Sequence, residues 1–394
     1  MSVKSNIRVQ ERPAPGLFAT GIALFSMFFG AGNLIFPLLV GRAAGSDAPA
    51  VLLGLMISAI LFPLLGLLSM MFFEGNIERF LQRLGKGPAF LLLFALQMAQ
   101  GPICLSRLFN LMYASIKSYL PILLGLFSIL VAGLVFFTAY RSHRLISLVG
   151  KVLTPVLLLG IATLVIAGLI SAPPLPPSKG DALFHFLQGL KGGYMTMDLI
   201  AALLFSTVVT PLFFQGVFFK SEEERKEVVR KKMLGASCVA AVLLLISYLG
   251  LTLLAAHHGG SLHVAPEELL QALAVKVLGP KGAFVAAMTV FLACFTTAVA
   301  LAAVFASYLR KDLLKEKITP QISLGATVLV ASCLTNLGFA TVLQWTGPMM
   351  EILYPALIVL CLCNVAYSLY QMSWVRMPVF AALAFGAIRF YMGL

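Results

Sequence analysis

Apolar runs long enough to cross a bilayer follow one another from one end of this chain to the other, parted by short polar connections. They fall at about 16–41, 49–73, 88–116, 121–139, 147–171, 193–219, 233–256, 281–309, 321–338, 341–370 and 376–393, and runs of this length predict membrane helices. Breaker signals separate most neighbours, as in Pro173-Pro174-Leu175-Pro176-Pro177. The segment 339–355 has room for a short helix of its own before the tenth run. The longest polar connections reach roughly 20 residues, too few for a soluble domain. The pattern predicts an all-α polytopic membrane protein with about 11 transmembrane helices, in a single domain over 1–394.

Two of these runs are interrupted. In the first, GLFATGIALFSMFFGAGNLIFPLLVG, the stretch Gly30-Ala31-Gly32-Asn33 sits in mid-span. Glycine in a helix interior costs roughly 0.5–1 kcal/mol relative to alanine. A backbone group freed inside hydrocarbon costs several kcal/mol more, so such a break is tolerated where it faces protein or a watery cavity. The sixth run opens on Gly192-Gly193-Tyr194-Met195-Thr196-Met197-Asp198 and carries a second breaker at Thr210-Pro211. Runs one and six head two five-span halves, about 16–171 and 193–370, with 376–393 as an additional C-terminal helix. Interrupted spans at matching places in two halves point to a transporter site. Half-helix N-termini there can face an anionic group such as an amino acid carboxylate.

Composition agrees: 60% of the 394 residues are hydrophobic and 11% charged, with a mean hydropathy of +0.98. The net charge of +13 suggests nucleic acid until its placement is considered. With the N-terminus in the cytoplasm, 20 of the 28 Lys and Arg fall on cytoplasmic segments, among them Lys4, Arg8, Arg12, Arg83, Lys86 and Arg310. Seven fall on the opposite side, and Arg107 lies within a span. That asymmetry is the positive-inside pattern. It predicts a multi-pass membrane protein with a cytoplasmic N-terminus, and no nucleic-acid partner. The first run is too long for a signal-peptide core. The run Ser221–Lys232 mixes both signs and reads as a solvated helix end, with contact to anionic lipid as the alternative. All six cysteines lie in apolar segments, which argues against a disulfide framework.

Ionisable residues inside a membrane are functional candidates by default. Arg107 in span three and Asp198 in span six both fall toward the external side. They suggest a charge pair closing an outer gate or a static bridge, each ion relieving the other's desolvation, or two charges that do not meet. Asp198 is also the best single candidate for proton coupling. Glu351 lies nearer an interface. In span eight, Thr296 and Thr297 within FLACFTTAVAL either cap backbone carbonyls one turn back or supply hydroxyl oxygens to a sodium ion. His257, His258 and His263 read as a polar loop, with a weak metal site as the alternative. No P-loop, HExxH, Gly-x-Ser-x-Gly or paired CxxC motif occurs, which argues against an enzyme and against any cofactor beyond a coupling ion.

FSMFFGAGNLIFPLLVG in span one, KGGYMTMDLIAALLFSTVV in span six, FLACFTTAVAL in span eight and TNLGFATVLQWTGPMMEILYPALIVL near the end resemble the bacterial branched-chain amino acid:cation symporters of the BrnQ type. The resemblance runs through nearly the whole chain. It implies the inverted-repeat leucine-transporter fold and import of leucine, isoleucine and valine coupled to Na+ or H+. Residue by residue, it implies sodium ligands at Ala293, Thr296 and Thr297, completed by the carbonyls of Ser26 and Phe29. It implies that the backbone of Gly30, Ala31, Gly32 and Asn33 receives the substrate carboxylate. An apolar pocket from Phe28, Tyr194, Met195 and Phe205, beside Thr196, would take the side chain. Family members usually carry proline before the span-three arginine, where this chain has Ser106, and are usually assigned twelve spans. The competing readings are a nutrient sensor or scaffold that does not transport, and a symporter for another neutral amino acid such as methionine or threonine.

Overall fold

A span that is apolar on every side must satisfy its backbone internally, and helices do this. The computed structural model describes residues 17–140, 154–214 and 222–392, and every regular element among them is helical. The basic positions Lys4, Arg8 and Arg12, and the start of the fifth run, lie outside the described residues.

Span one is two helices, α1 (Leu17–Phe28) and α2 (Ala31–Ala44). Span two joins α3 (Ala48–Met56) to α4 (Phe62–Met71) through a π turn at Ile57–Leu61. Pro63, which has no N–H to donate, follows directly. A short helix α5 (Ile77–Gln82) leads to span three, made of α6 (Lys86–Met98) and α7 (Cys104–Ile116) about a second π turn at Ala99–Ile103. Gly101 there leaves helical geometry just before Pro102. Next come α8 (Leu124–Tyr140) and α9 (Thr154–Ile170).

Span six begins earlier than its apolar run: α10 covers Ala182–Thr196, with the Asp181 side chain accepting from the Phe184 N–H at its start. After one residue, α11 covers Asp198–Phe214. The breaker expected at Thr210-Pro211 is absent, because α11 runs through both residues. Then α12 (Glu222–His258) extends the seventh span through the charged run, where Glu227 and Lys231 pair at 2.7 Å. In α13 (Leu269–Tyr308) a corner at Gly279-Pro280, with Gly279 at φ 70°, sets off a short outer helix from the eighth span. Last are α14 (Pro320–Thr335), α15 (Phe339–Tyr370) and α16 (Arg376–Met392). Residues 339–355 form no separate segment, since α15 is continuous through Pro348 and Pro355.

The helices meet where side chains are small. A Cβ on Gly189 of α10 would lie 2.1 Å from the Val51 carbonyl oxygen of α3, and one on Gly54 of α3 would lie 2.1 Å from the Phe186 oxygen of α10. Only glycine lets the two backbones touch, the usual route to tight helix pairs in lipid. Gly193 sits against Ser58 of the span-two π turn in the same way. One core gathers residues of α1, α2, α7, α12 and α13, while a second gathers α6, α11, α15 and α16. The perimeter is apolar: Leu126, Ile129, Leu130 and Phe137 of α8 all face outward.

At the end bearing Arg83 and Lys86, the Arg83 guanidinium donates to Asn364 Oδ1 at 2.8 Å and stacks 3.8 Å from the Tyr367 ring centre. At the opposite end Lys117 pairs with Glu268, while Lys191 meets Glu351 at 3.5 Å one helical turn from the Tyr194–Tyr354 ring contact.

Candidate substrate and coupling site

The break in span one is narrower than the glycine-rich stretch that signals it. Only Phe29 and Gly30 leave the helix, while Ala31, Gly32 and Asn33 form the first turn of α2. Gly30 is extended, with φ −116° and ψ −160°. Its N–H donates to Asn33 Oδ1 at 3.1 Å, so the third residue of α2 satisfies a group that the break leaves open. In span six the break is one residue, Met197, left-handed at φ 65° and ψ 20°. Gly192 to Thr196, expected to be loose, complete α10.

The two breaks face each other. A Cβ on Gly32 would lie 2.8 Å from Thr196 Cα and 2.9 Å from its carbonyl oxygen. Asn33 joins them chemically: its Nδ2 donates to Asp198 Oδ1 at 2.9 Å and Oδ2 at 2.8 Å. Asp198 is the first residue of α11, where the positive helix end favours a carboxylate. Tyr248 of α12 donates its hydroxyl to Asp198 Oδ2 at 2.7 Å and also contacts Asn33 Nδ2. A second tyrosine, Tyr354 of α15, accepts the Leu199 N–H at 3.2 Å and packs against Tyr194 with ring centres 4.7 Å apart. These side chains are all buried.

Arg107 and Asp198 do not form the ion pair that an outer gate would need. The guanidinium points at the end of α10 instead: Nη2 donates to the Met195 carbonyl at 3.0 Å, Nη1 to Met197 Sδ at 3.1 Å, and the group lies 5.1 Å from the Phe36 ring centre. A cation at a helix C-terminus and a carboxylate at the next N-terminus are each stabilised by the helix end they meet.

In α13 the hydroxyls of Thr296 and Thr297 both donate to the Ala293 carbonyl, at 2.9 and 3.1 Å. Both hydroxyls thus back-bond within their own helix, and each oxygen keeps its lone pairs. Ser26 likewise donates to Ala23 O at 2.8 Å. The Thr297 methyl carbon would lie 3.3 Å from a Cβ on Gly30, so this turn of α13 abuts the span-one break. Phe28, Phe29, Tyr194, Met195 and Phe205 are buried nearby or along the same helices. Among the described residues no three His, Cys, Asp or Glu groups gather as for a metal. His257 and His258 face the carbonyls of Pro173 and Gly168 at 2.7 and 2.8 Å.

Sequence reading missed Tyr248, Tyr354 and the pair Gln97 and Gln100. A signal existed. Tyrosine is enriched at membrane interfaces, and Tyr248 stands in mid-span within LLLISYLGLTLL.

A family model described as "Branched-chain amino acid transport protein" matches residues 15–391. The branched-chain amino acid permease BrnQ of Bacillus subtilis is 29% identical over 371 residues, covering 89% of this chain and 81% of that protein. Among solved structures, the inward-facing conformation of Mhp1 superposes with a TM-score of 0.67 at 12% identity, covering 97% of this chain and 90% of the other. A substrate-bound, outward-open Na+-coupled sialic acid symporter gives 0.58 at 9% identity, with 98% and 91% covered. At these identities the structural likeness establishes the fold, which is the one the sequence resemblance implies.

Proposed function

This chain belongs to the branched-chain amino acid transport protein family, and we propose that it imports leucine, isoleucine and valine as a secondary active symporter driven by Na+ or H+. One observation carries this reading: two half-helix N-termini, at Gly30–Asn33 and at Asp198, meet in the buried centre of a membrane protein and are tied by Asn33. The first N–H groups of a helix lack intrahelical partners. Those of Ala31 and Gly32, at the positive end of α2, suit the substrate carboxylate, while carbonyls beside the breaks suit the ammonium. Phe28, Tyr194 and Met195, with Thr196 beside them, supply the wall for an aliphatic side chain, and Phe205 stands two turns further along α11. An apolar wall separates substrates differing by one methylene by only about 1–3 kcal/mol, so the three amino acids share the site.

Two coupling arrangements have support. For Na+, the oxygens of Ala293, Thr296 and Thr297 stand opposite the end of α1, where the carbonyls of Ser26 and Phe29 complete an all-oxygen set. For H+, Asp198 is a buried carboxylate receiving donors from Asn33 and Tyr248. All of those donors suit the ionised form, and protonation forces a rearrangement among them. Arg107 anchors the end of α10 in either case. The end carrying Arg83, Lys86 and Arg310 faces the cytoplasm. The two halves of the fold, about 16–171 and 193–370, move relative to each other at the breaks, and 376–393 packs outside them.

Uptake of labelled leucine into proteoliposomes, with sodium and proton gradients imposed separately, tests the proposal. Accumulation under one of the two is expected. No accumulation under either defeats it and favours a sensor, whereas preference for methionine or threonine over leucine would reassign the substrate.

A further inference from the structure

Span three holds two glutamines whose side chains no other described residue satisfies. Gln97 and Gln100 are each 7% exposed and lie one helical turn apart, on one face of the α6 end and its π turn. Gln100 Oε1 is fully buried with no hydrogen-bond partner, and the Gln97 amide has none among the described residues. Both line a narrow crevice whose remaining wall is apolar, including Leu204 and Phe205 of α11 and Leu301 of α13. Leaving a buried carbonyl oxygen such as Gln100 Oε1 unpaired is costly, and a group kept so calls for a partner that comes and goes.

The crevice lies off the central site in one direction. Phe205 is seven residues beyond Asp198 along α11, about 10 Å at the helical rise, and Leu301 is four beyond Thr297 along α13, about 6 Å. Both steps lead toward the end bearing Arg83, Lys86 and Arg310. Phe305 shuts the crevice. Its ring seats on Gly101, where a Cβ would come within 2.3 Å of it, and the closed crevice has no room for an amino acid.

We propose that Gln97 and Gln100 form a second, transient binding site for the zwitterionic head of the transported amino acid, between the central site and the basic face. It rests on the transport reading above. A primary amide offers a carbonyl acceptor and an NH2 donor, so two of them can receive an ammonium and a carboxylate together. Leu204 and Leu301 then meet the aliphatic side chain, and withdrawal of Phe305 from Gly101 opens the site. The central site differs in kind: backbone and helix ends hold the head group there, whereas here side-chain amides do.

The test is transport resolved by face, with protein oriented in proteoliposomes and leucine presented to one side at a time. In the double variant Gln97→Leu/Gln100→Leu, the leucine KM at the basic face is expected to rise about tenfold or more, while the KM at the opposite face stays within twofold. Thermal unfolding of the purified double variant is expected at or above the wild-type temperature, because leucine replaces unpaired amides at similar volume. Unchanged KM at both faces would mean the amides only hold water, and equal rises at both would place them in the central site. A lower unfolding temperature would make them structural. Each of these overturns the proposal while wild-type transport stands. A wild type that carries no leucine from either face removes the transport reading and this site with it.

Discussion

Arg107 and Asp198, the two charges buried at the span-six break, divide its two helix ends between them. The guanidinium holds the Met195 carbonyl at the end of α10 and the carboxylate heads α11. Neither needs the other, because each meets a helix end of opposite sign.

That division predicts additivity. Arg107→Met and Asp198→Asn should each lower thermal stability, and the double variant should lose the sum of the two within about 0.5 kcal/mol. Recovery of stability in the double variant, measured by thermal unfolding in detergent, would instead reveal a pair.

Tyr248→Phe removes one charged-acceptor hydrogen bond from Asp198. A loss of about 1.5–3 kcal/mol is expected, together with slower leucine uptake. Asp198→Asn tests the carboxylate directly: a proton-driven transporter should lose its response to a proton gradient. Persistent proton-driven uptake in that variant would remove Asp198 from coupling.

Thr297→Ala should abolish stimulation by sodium if sodium is the driver. The lost hydroxyl makes only a bond back to Ala293, so circular dichroism should show α13 intact. Unchanged sodium dependence in uptake assays would exclude this turn as an ion site.

Gly32→Ala places a methyl group 2.8–2.9 Å from the Thr196 backbone. Because neither backbone can yield without moving a helix end, a stability loss of about 1–3 kcal/mol and loss of uptake are expected. Gly87→Ala, where a Cβ meets nothing within 4 Å, should leave both measurements unchanged.

Much of this architecture is legible in the sequence because hydrocarbon imposes one strong rule on backbone, and the apolar runs obey it. The span-one break is legible because two glycines flag it. The span-six break is placed only approximately, since its single distorted residue is methionine, a residue type with no preference for left-handed backbone. Thr210-Pro211 misleads in the other direction, because a proline inside a membrane helix can be absorbed by its neighbours. Whether Arg107 and Asp198 pair is left open by the sequence, which shows charges but not the helix ends that meet them. Tyr248 is marked by its mid-span place, but its partner is not, because Asp198 lies 50 residues away in the chain.

Span two carries its π turn where span six breaks. The π turn at Ile57–Leu61 lies beside the end of α10, with Ser58 against Gly193, and the rigid halves on either side are matched: α3 with α10, α4 with α11. Because Gly54 and Gly189 leave no gap between α3 and α10, these two helices act as one lever arm. The joints of both spans sit at a single level, so a tilt of that arm would bend two spans at once.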